Sequence, residues 1–259
     1  MEKKKGISGS TLKMIAIVTM LIDHIGAAVL ARLLMVNGLG ELDQTNTDAI
    51  MQWLSANGAL YGTYTVMRMI GRVAFPIFCF LLVEGFLHTH DVKKYAMRLG
   101  LFALISEIPF DLAFSSKILE FNYQNVFFTL FIGLLTMIAY RAVEEKEEWN
   151  QVLKVILYIL IVAAGMALAY FLKTDYAEKG VFCIMVLYIF RKKKMWQIIA
   201  GCASFIWETP ALFGFIPIAF YNGTRGLKMK YFFYIFYPAH LLILYLLCYF
   251  MGISGYSAV

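Results

Sequence analysis

The stretch MIAIVTMLIDHIGAAVLARLL, residues 14–34, decides the reading of this chain. It is apolar and long enough to cross a bilayer, whose hydrocarbon core takes about 20 helical residues. Asp23 and His24 sit side by side in its middle. An ionised side chain at that depth costs several kcal/mol, about 2.5–3.5 on insertion scales, so a pair there marks function by default. His24 carries more weight, because imidazole both accepts and returns a proton near neutral pH.

The composition agrees with a membrane protein. Of 259 residues 61% are hydrophobic and 15% charged, with a mean hydropathy of +0.71; soluble domains carry roughly a quarter charged residues. The apolar segments are spread over the whole length, which predicts one membrane domain over 1–259 and no cleavable signal peptide. Cys79, Cys183, Cys202 and Cys248 all lie in apolar runs without CxxC or metal-ligand spacing, so they read as small buried hydrophobes and no metal is expected. The net charge of +6 is divided among short loops, a topology signal rather than a nucleic-acid surface.

Apolar runs cover 12–34, 69–88, 95–114, 123–141, 152–172, 178–190, 195–207, 210–222 and 231–251. They predict an all-α, polytopic transmembrane helical bundle of about nine segments, three of them short. Five clusters hold seventeen of the 23 Lys and Arg: Lys3, Lys4, Lys5 and Lys13; Lys93, Lys94 and Arg98; Arg141, Lys146 and Lys154; Arg191, Lys192, Lys193 and Lys194; Arg225, Lys228 and Lys230. All five face the cytoplasm if the N-terminus is inside, the C-terminus is outside and 195–222 enters and leaves on one side. That last segment reads as two short crossings or a re-entrant hairpin. The stretch 35–68 is too polar to span and is expected to carry a short helix or lid over the outer mouth, and Glu144 to Glu148 read as a solvated loop.

Mapped by depth, polar groups from separate segments converge near His24. Arg72 is placed one turn into the second span, four residues after Arg68 and four before Pro76. Glu107 and Asp111 share a helix face, and Asn125 and Thr129 repeat the spacing. Glu208 stands at the tip of 195–222, and His240 follows Pro238 in the last span. Lipid-facing positions do not hold such groups cheaply, which predicts one shared cavity. The bland alternative is a set of buried ion pairs, Arg72 with Glu107 or Asp111 among them. Glu84 and His88 read as a pair on a helix surface.

The strings LKMIAIVTMLIDHIGA (12–27), IGRVAFPIFCFLLVEGF (70–86), LFALISEIPFDLAF (101–114), NVFFTL (125–130) and YPAHLLILYLL (237–247) resemble the TraX family, whose namesake is the F-pilin acetyltransferase of conjugative plasmids. The resemblance spans nearly the whole chain. It implies kinship with membrane acyltransferases of the heparan-glucosaminide N-acetyltransferase and acyltransferase-3 types, whose basic-residue-then-His pattern has a counterpart in Lys13 and His24. It also implies a single multi-pass acyltransferase domain in the inner (cytoplasmic) membrane, with acetyl-CoA as co-substrate and an acceptor of unspecified identity on the outer face.

The residues the resemblance points to are Asp23, His24, Arg72, Glu84, Glu107, Asp111, Asn125 and His240. On that reading His24 is a general base, or carries the acetyl group itself, with Asp23 or Glu107 orienting it and Asn125, Arg72 or His240 facing the oxyanion. Lys93, Lys94, Arg98, Arg191, Lys192 and Arg225 are the candidates for the CoA phosphates. A proton-coupled transporter is the competing class, since it also buries such groups along a pathway. A structural assembly protein of a pilus or envelope complex is a third.

Overall fold

The computed structural model describes residues 5–43, 45–227 and 230–256. Of the basic residues above, Lys3, Lys4 and Lys228 lie outside that set, as does the side chain of Lys230. The first apolar run is a rod from Gly9 to Val36: α1 (Gly9–Ile25), one π-helical turn (Gly26–Leu30) and α2 (Ala31–Val36). The π turn begins two residues after His24, and such bulges recur at functional sites. Next come α3 (Thr47–Gly71), α4 (Ala74–His88), α5 (Val92–Ser115), α6 (Val126–Glu144), α7 (Gln151–Phe171) and α8 (Ala177–Ile189). A short helix α9 (Lys194–Ser204), a 3-10 stretch (Thr209–Gly214) and α10 (Phe215–Ala219) precede α11 (Lys230–Phe250). Among the described residues there is no strand beyond two isolated bridges.

The helices start where short polar side chains can take up free N–H groups. Ser8, Asn46, Asp91, Asn125 and Asn150 each accept a backbone N–H in the first turn of α1, α3, α5, α6 and α7. The stretch 35–68 departs from its expectation. In place of a short helix or lid, 47–71 form a 25-residue helix that runs on into α4, the two together spanning Thr47–His88. The break at Arg72 and Val73 has a local cause. Pro76 has no N–H for the carbonyl of Arg72, and its ring crowds that carbonyl. Arg72 therefore sits at the junction of two helices rather than inside the second span.

The segment 195–222 is a hairpin whose ends meet: Lys194 Nζ bonds the carbonyls of Ala219 and Tyr221, each at 2.7 Å. The tip residue Glu208 reaches Arg72 at 3.3 Å. Since α9 has only 11 residues, about 16 Å of helix, it is too short to cross a bilayer core of about 30 Å by itself. The hairpin is re-entrant. Among the described residues four helical stretches, Gly9–Val36, Thr47–His88, Val126–Glu144 and Gln151–Phe171, are long and apolar enough to cross a membrane, and α5, α8 and α11 pack beside them. Their basic ends lie together: Arg191 pairs with Glu144 at 2.8 Å, so Glu144 is not merely solvated, and the backbone of 7–10 is hydrogen-bonded to that of 220–225.

Two apolar cores fill the bundle. One joins α4, α6 and α8 around Phe80, Leu134, Ile184 and Tyr188. The other joins the outer half of α1 to α5 and α11 around Ala28, Phe110, Leu241 and Leu244. Phe78, Val126 and Phe127 touch both, and the cavity described next opens along that seam. The four cysteines are free, and Cys79, Cys183 and Cys248 are buried, as small hydrophobes are.

Candidate active site

A cavity of about 230 Å³ lies between α1, α3, α4, α5 and the loop after α7. Its polar wall is Asp23, His24, Arg68, Arg72, Tyr123, Asp175 and Tyr176; its apolar wall includes Met20, Phe75, Phe78, Phe110 and Phe114. From this level to the far ends of α1, α4 and α8 is roughly 20 Å by helical rise. Close approach makes the polar wall possible. A Cβ on Gly71 would collide with the side chain of Asp23, and one on Gly26 would lie 3.2 Å from Met67 Cβ.

His24 is held by His240. His24 Nδ1 and His240 Nε2 are 2.7 Å apart, and His240 Nδ1 lies 2.8 Å from the Phe236 carbonyl one turn earlier. A carbonyl only accepts, so His240 Nδ1 carries the proton and, in the neutral pair, its Nε2 accepts from His24 Nδ1–H. The free lone pair of the pair is then on His24 Nε2. Phe114 and Tyr237 meet the His24 ring edge-on at centroid distances of 5.5 and 6.0 Å. The relay from carbonyl to imidazole to imidazole fixes orientation as a carboxylate does elsewhere.

Asp23 serves a different partner. Its Oδ2 accepts from Arg68 Nη1 at 2.7 Å, and its Oδ1 is buried with no partner. Losing the cation strands a buried carboxylate, which costs about 3–5 kcal/mol where neither group is well hydrated. We expect Arg68→Ala to lower thermal stability in detergent and Asp23→Asn/Arg68→Gln to recover most of the loss. An equal loss in both variants would rule the pairing out as the cause.

The loop between α7 and α8 forms the outer wall. Lys173, Tyr176 and Ala177 have φ of +53°, +64° and +41°, a left-handed run that side chains rarely adopt and that gathers at functional sites. Thr129 donates to the Asp175 carbonyl, and Tyr123 Oη donates to Asp175 Oδ1 at 2.5 Å. Burial pushes the Asp175 carboxyl above its ordinary range, while the Tyr123 hydroxyl and Arg72 pull it back. Tyr176 stacks on Phe75 with centroids 3.7 Å apart.

These residues match known proteins along almost their full length. A family model described as "TraX protein" matches residues 8–248. The chain belongs to the TraX family. It is also 26% identical to a protein of Dichelobacter nodosus named "Probable fimbrial assembly protein FimC, serogroup H1", over 94% of this chain and 97% of that one. No solved structure matches.

Within this TraX-family chain the expected site residues separate into three groups. His24, Asp23 and Arg72 line the cavity, and His240 stands behind His24. Glu107, Asp111 and Asn125 do not line it. Asn125 Nδ2 donates to Glu107 and to the Ala103 carbonyl, and its Oδ1 caps α6 by accepting Phe127 N–H. Asp111 accepts the Glu120 N–H at 2.8 Å.

Neither Glu107 nor Asp23 orients His24, then, and Asn125 has no amide hydrogen to spare for an oxyanion. Arg72 pairs with Glu208 rather than with Glu107 or Asp111. We expect Asn125→Ala to cost about 2–4 kcal/mol, a lost cap plus a stranded Glu107, read as a fall in melting temperature. An unchanged melting temperature would contradict this structural role.

The candidates for phosphate binding divide too. Arg191 is taken by Glu144 and lies over the Tyr188 ring, and Lys94 pairs with Asp91 at 3.1 Å within α5. Lys93, Lys192 and Arg225 are exposed and Arg98 is half-buried. His88 and Glu84 pair on the helix surface at 4.0 Å.

Sequence reasoning passed over Arg32. It is fully buried and bonds the carbonyls of Ala28, Ala113 and Tyr256 at 2.8, 2.5 and 2.9 Å, and the Ser116 hydroxyl at 2.9 Å. Its position inside the opening apolar run was the signal that could have found it. Tyr123, Asp175 and Tyr176 carried no such signal, because loop residues reveal their depth only after folding.

Proposed function

We propose that this protein is a membrane-embedded acetyltransferase, moving the acetyl group of cytoplasmic acetyl-CoA to an amine or hydroxyl acceptor on the outer face of the inner membrane. The observation that carries the reading is the Phe236 carbonyl–His240–His24 relay at a cavity wall, which leaves His24 Nε2 as the base. In the reaction the acceptor gives its proton to Nε2 as its nitrogen or oxygen attacks the thioester carbonyl. The tetrahedral oxyanion faces Arg72, the wall cation whose partner Glu208 does not itself line the cavity. Collapse breaks the carbon–sulfur bond, and the CoA thiolate takes the proton back from His24. His240 shares the positive charge while it lasts.

The level of His24, roughly 20 Å from the cytoplasmic ends, suits a donor with a long thin arm whose phosphates stay outside the membrane. Lys93, Arg98 and Arg225 are the cations we assign to those phosphates. The name of the Dichelobacter nodosus relative and the TraX family membership support a pilin-related acceptor. The test is release of CoA thiol by purified protein in nanodiscs, with and without a peptide bearing a free N-terminal amine or a hydroxylated acceptor. A proton-coupled transporter or an assembly scaffold releases none in either case. Labelled acetyl-CoA added without acceptor separates direct transfer, which leaves the protein unlabelled, from an acetyl-His24 intermediate.

A further inference from the structure

The turn joining α8 to α9 carries the basic run Arg191, Lys192, Lys193 and Lys194, and the structure uses these four residues differently. Arg191 is spent on Glu144 and Lys194 on the carbonyls of Ala219 and Tyr221. Lys192 and Lys193 are exposed and make no ion pair or side-chain hydrogen bond among the described residues. They border a groove of about 390 Å³ whose other walls are Ile189, Phe190 and Trp196. No carboxylate lines it. Ile189 and Phe182 are 41% and 42% exposed and stand seven residues apart on α8, so one apolar stripe runs from the groove up the helix. Trp196 lies half exposed beside the lysines, as tryptophan does at a membrane–water boundary.

We propose that this groove binds one anionic phospholipid of the cytoplasmic leaflet. Its phosphate sits between Lys192 and Lys193, and an acyl chain follows Ile189 and Phe182. Charge complementarity selects the occupant. Two unpaired cations in a groove lined by no carboxylate, with the nearby Glu144 taken by Arg191, attract an anionic headgroup, and the apolar stripe below them fits a hydrocarbon tail rather than a nucleotide. The site is separate from the His24 cavity and does not depend on the acetyltransferase reading.

Native mass spectrometry of the detergent-solubilised protein, titrated with dioleoyl phosphatidylglycerol or dioleoyl phosphatidylcholine, tests it. Wild type is expected to bind one phosphatidylglycerol in preference to phosphatidylcholine. Lys192→Ala/Lys193→Ala is expected to bind phosphatidylglycerol on the order of thirtyfold more weakly, about five- to sixfold per lysine, with phosphatidylcholine unaffected. Both side chains are exposed, so the fold survives their loss; Lys146→Ala, on another loop, is expected to bind like wild type. Equal phosphatidylglycerol binding by wild type and the double variant overturns the proposal. So does displacement of the bound lipid by free CoA, which would make the groove a nucleotide-phosphate site.

Discussion

Replacing His24 by alanine is expected to lower acetyl transfer by about 10²–10⁴-fold, the range general acid–base catalysis supplies, while melting temperature changes little. The side chain is half-buried at the cavity wall and its one hydrogen bond is to His240, so its removal deletes the base without stranding a charge. His240→Ala is expected to be milder, about 10–100-fold, because it removes the group that sets the tautomer and leaves the base in place. The order of the two effects is diagnostic. If His24→Ala transfers acetyl groups at the wild-type rate, the assignment is wrong. If His240→Ala matches His24→Ala, the two rings act as one unit, and neither can be called the base alone.

Replacing Arg32 by leucine is expected to destabilise the protein by about 3–5 kcal/mol, as much as losing Arg68 beside Asp23. Leucine roughly fills the space, but three carbonyls and a hydroxyl lose a donor, those of Ala28 and Ala113 in buried surroundings, and each buried group left short costs about 1–3 kcal/mol before relaxation. The carbonyl of Ala113 belongs to the last turn of α5, and that of Tyr256 to the segment after α11, so one guanidinium ties together three parts of the chain. Arg32→Lys is expected to recover only part of the loss, because an ammonium cannot fork to groups so widely placed. Thermal unfolding in detergent measures all three forms. A leucine variant as stable as wild type would show that the fork adds nothing.

What could be read ahead of the structure followed from the membrane's own demands. Residues 14–34 announced a long apolar helix, the basic clusters announced which ends lie together, and His24 announced a cavity walled by polar groups, since each rests on the cost of polar groups in hydrocarbon. The stretch 47–71 escaped because its helix earns little from apolar burial. Gly71 is its single buried residue among those described. The helix is held instead by the Asn46 cap, by close approach at Gly26 and by the Arg68–Asp23 pair. Hydropathy is blind to all three. Partner identity was equally hidden: His24 and His240 are 216 residues apart, and Asn125, which resembled an oxyanion donor in position, is consumed in capping α6 and holding Glu107.

The break that Pro76 puts between α3 and α4 has a mechanical consequence. Beyond the break, α3 has 25 residues, about 37 Å of helix. Of its described residues only Gly71 is buried, so most of its length stands clear of the two apolar cores as a mast. Its foot carries Arg68 and Gly71 in the cavity wall, and Trp53 stays it to the Asn37 carbonyl at 2.6 Å. A push on the mast is thereby levered, through one continuous helix, onto the side chain that touches Asp23.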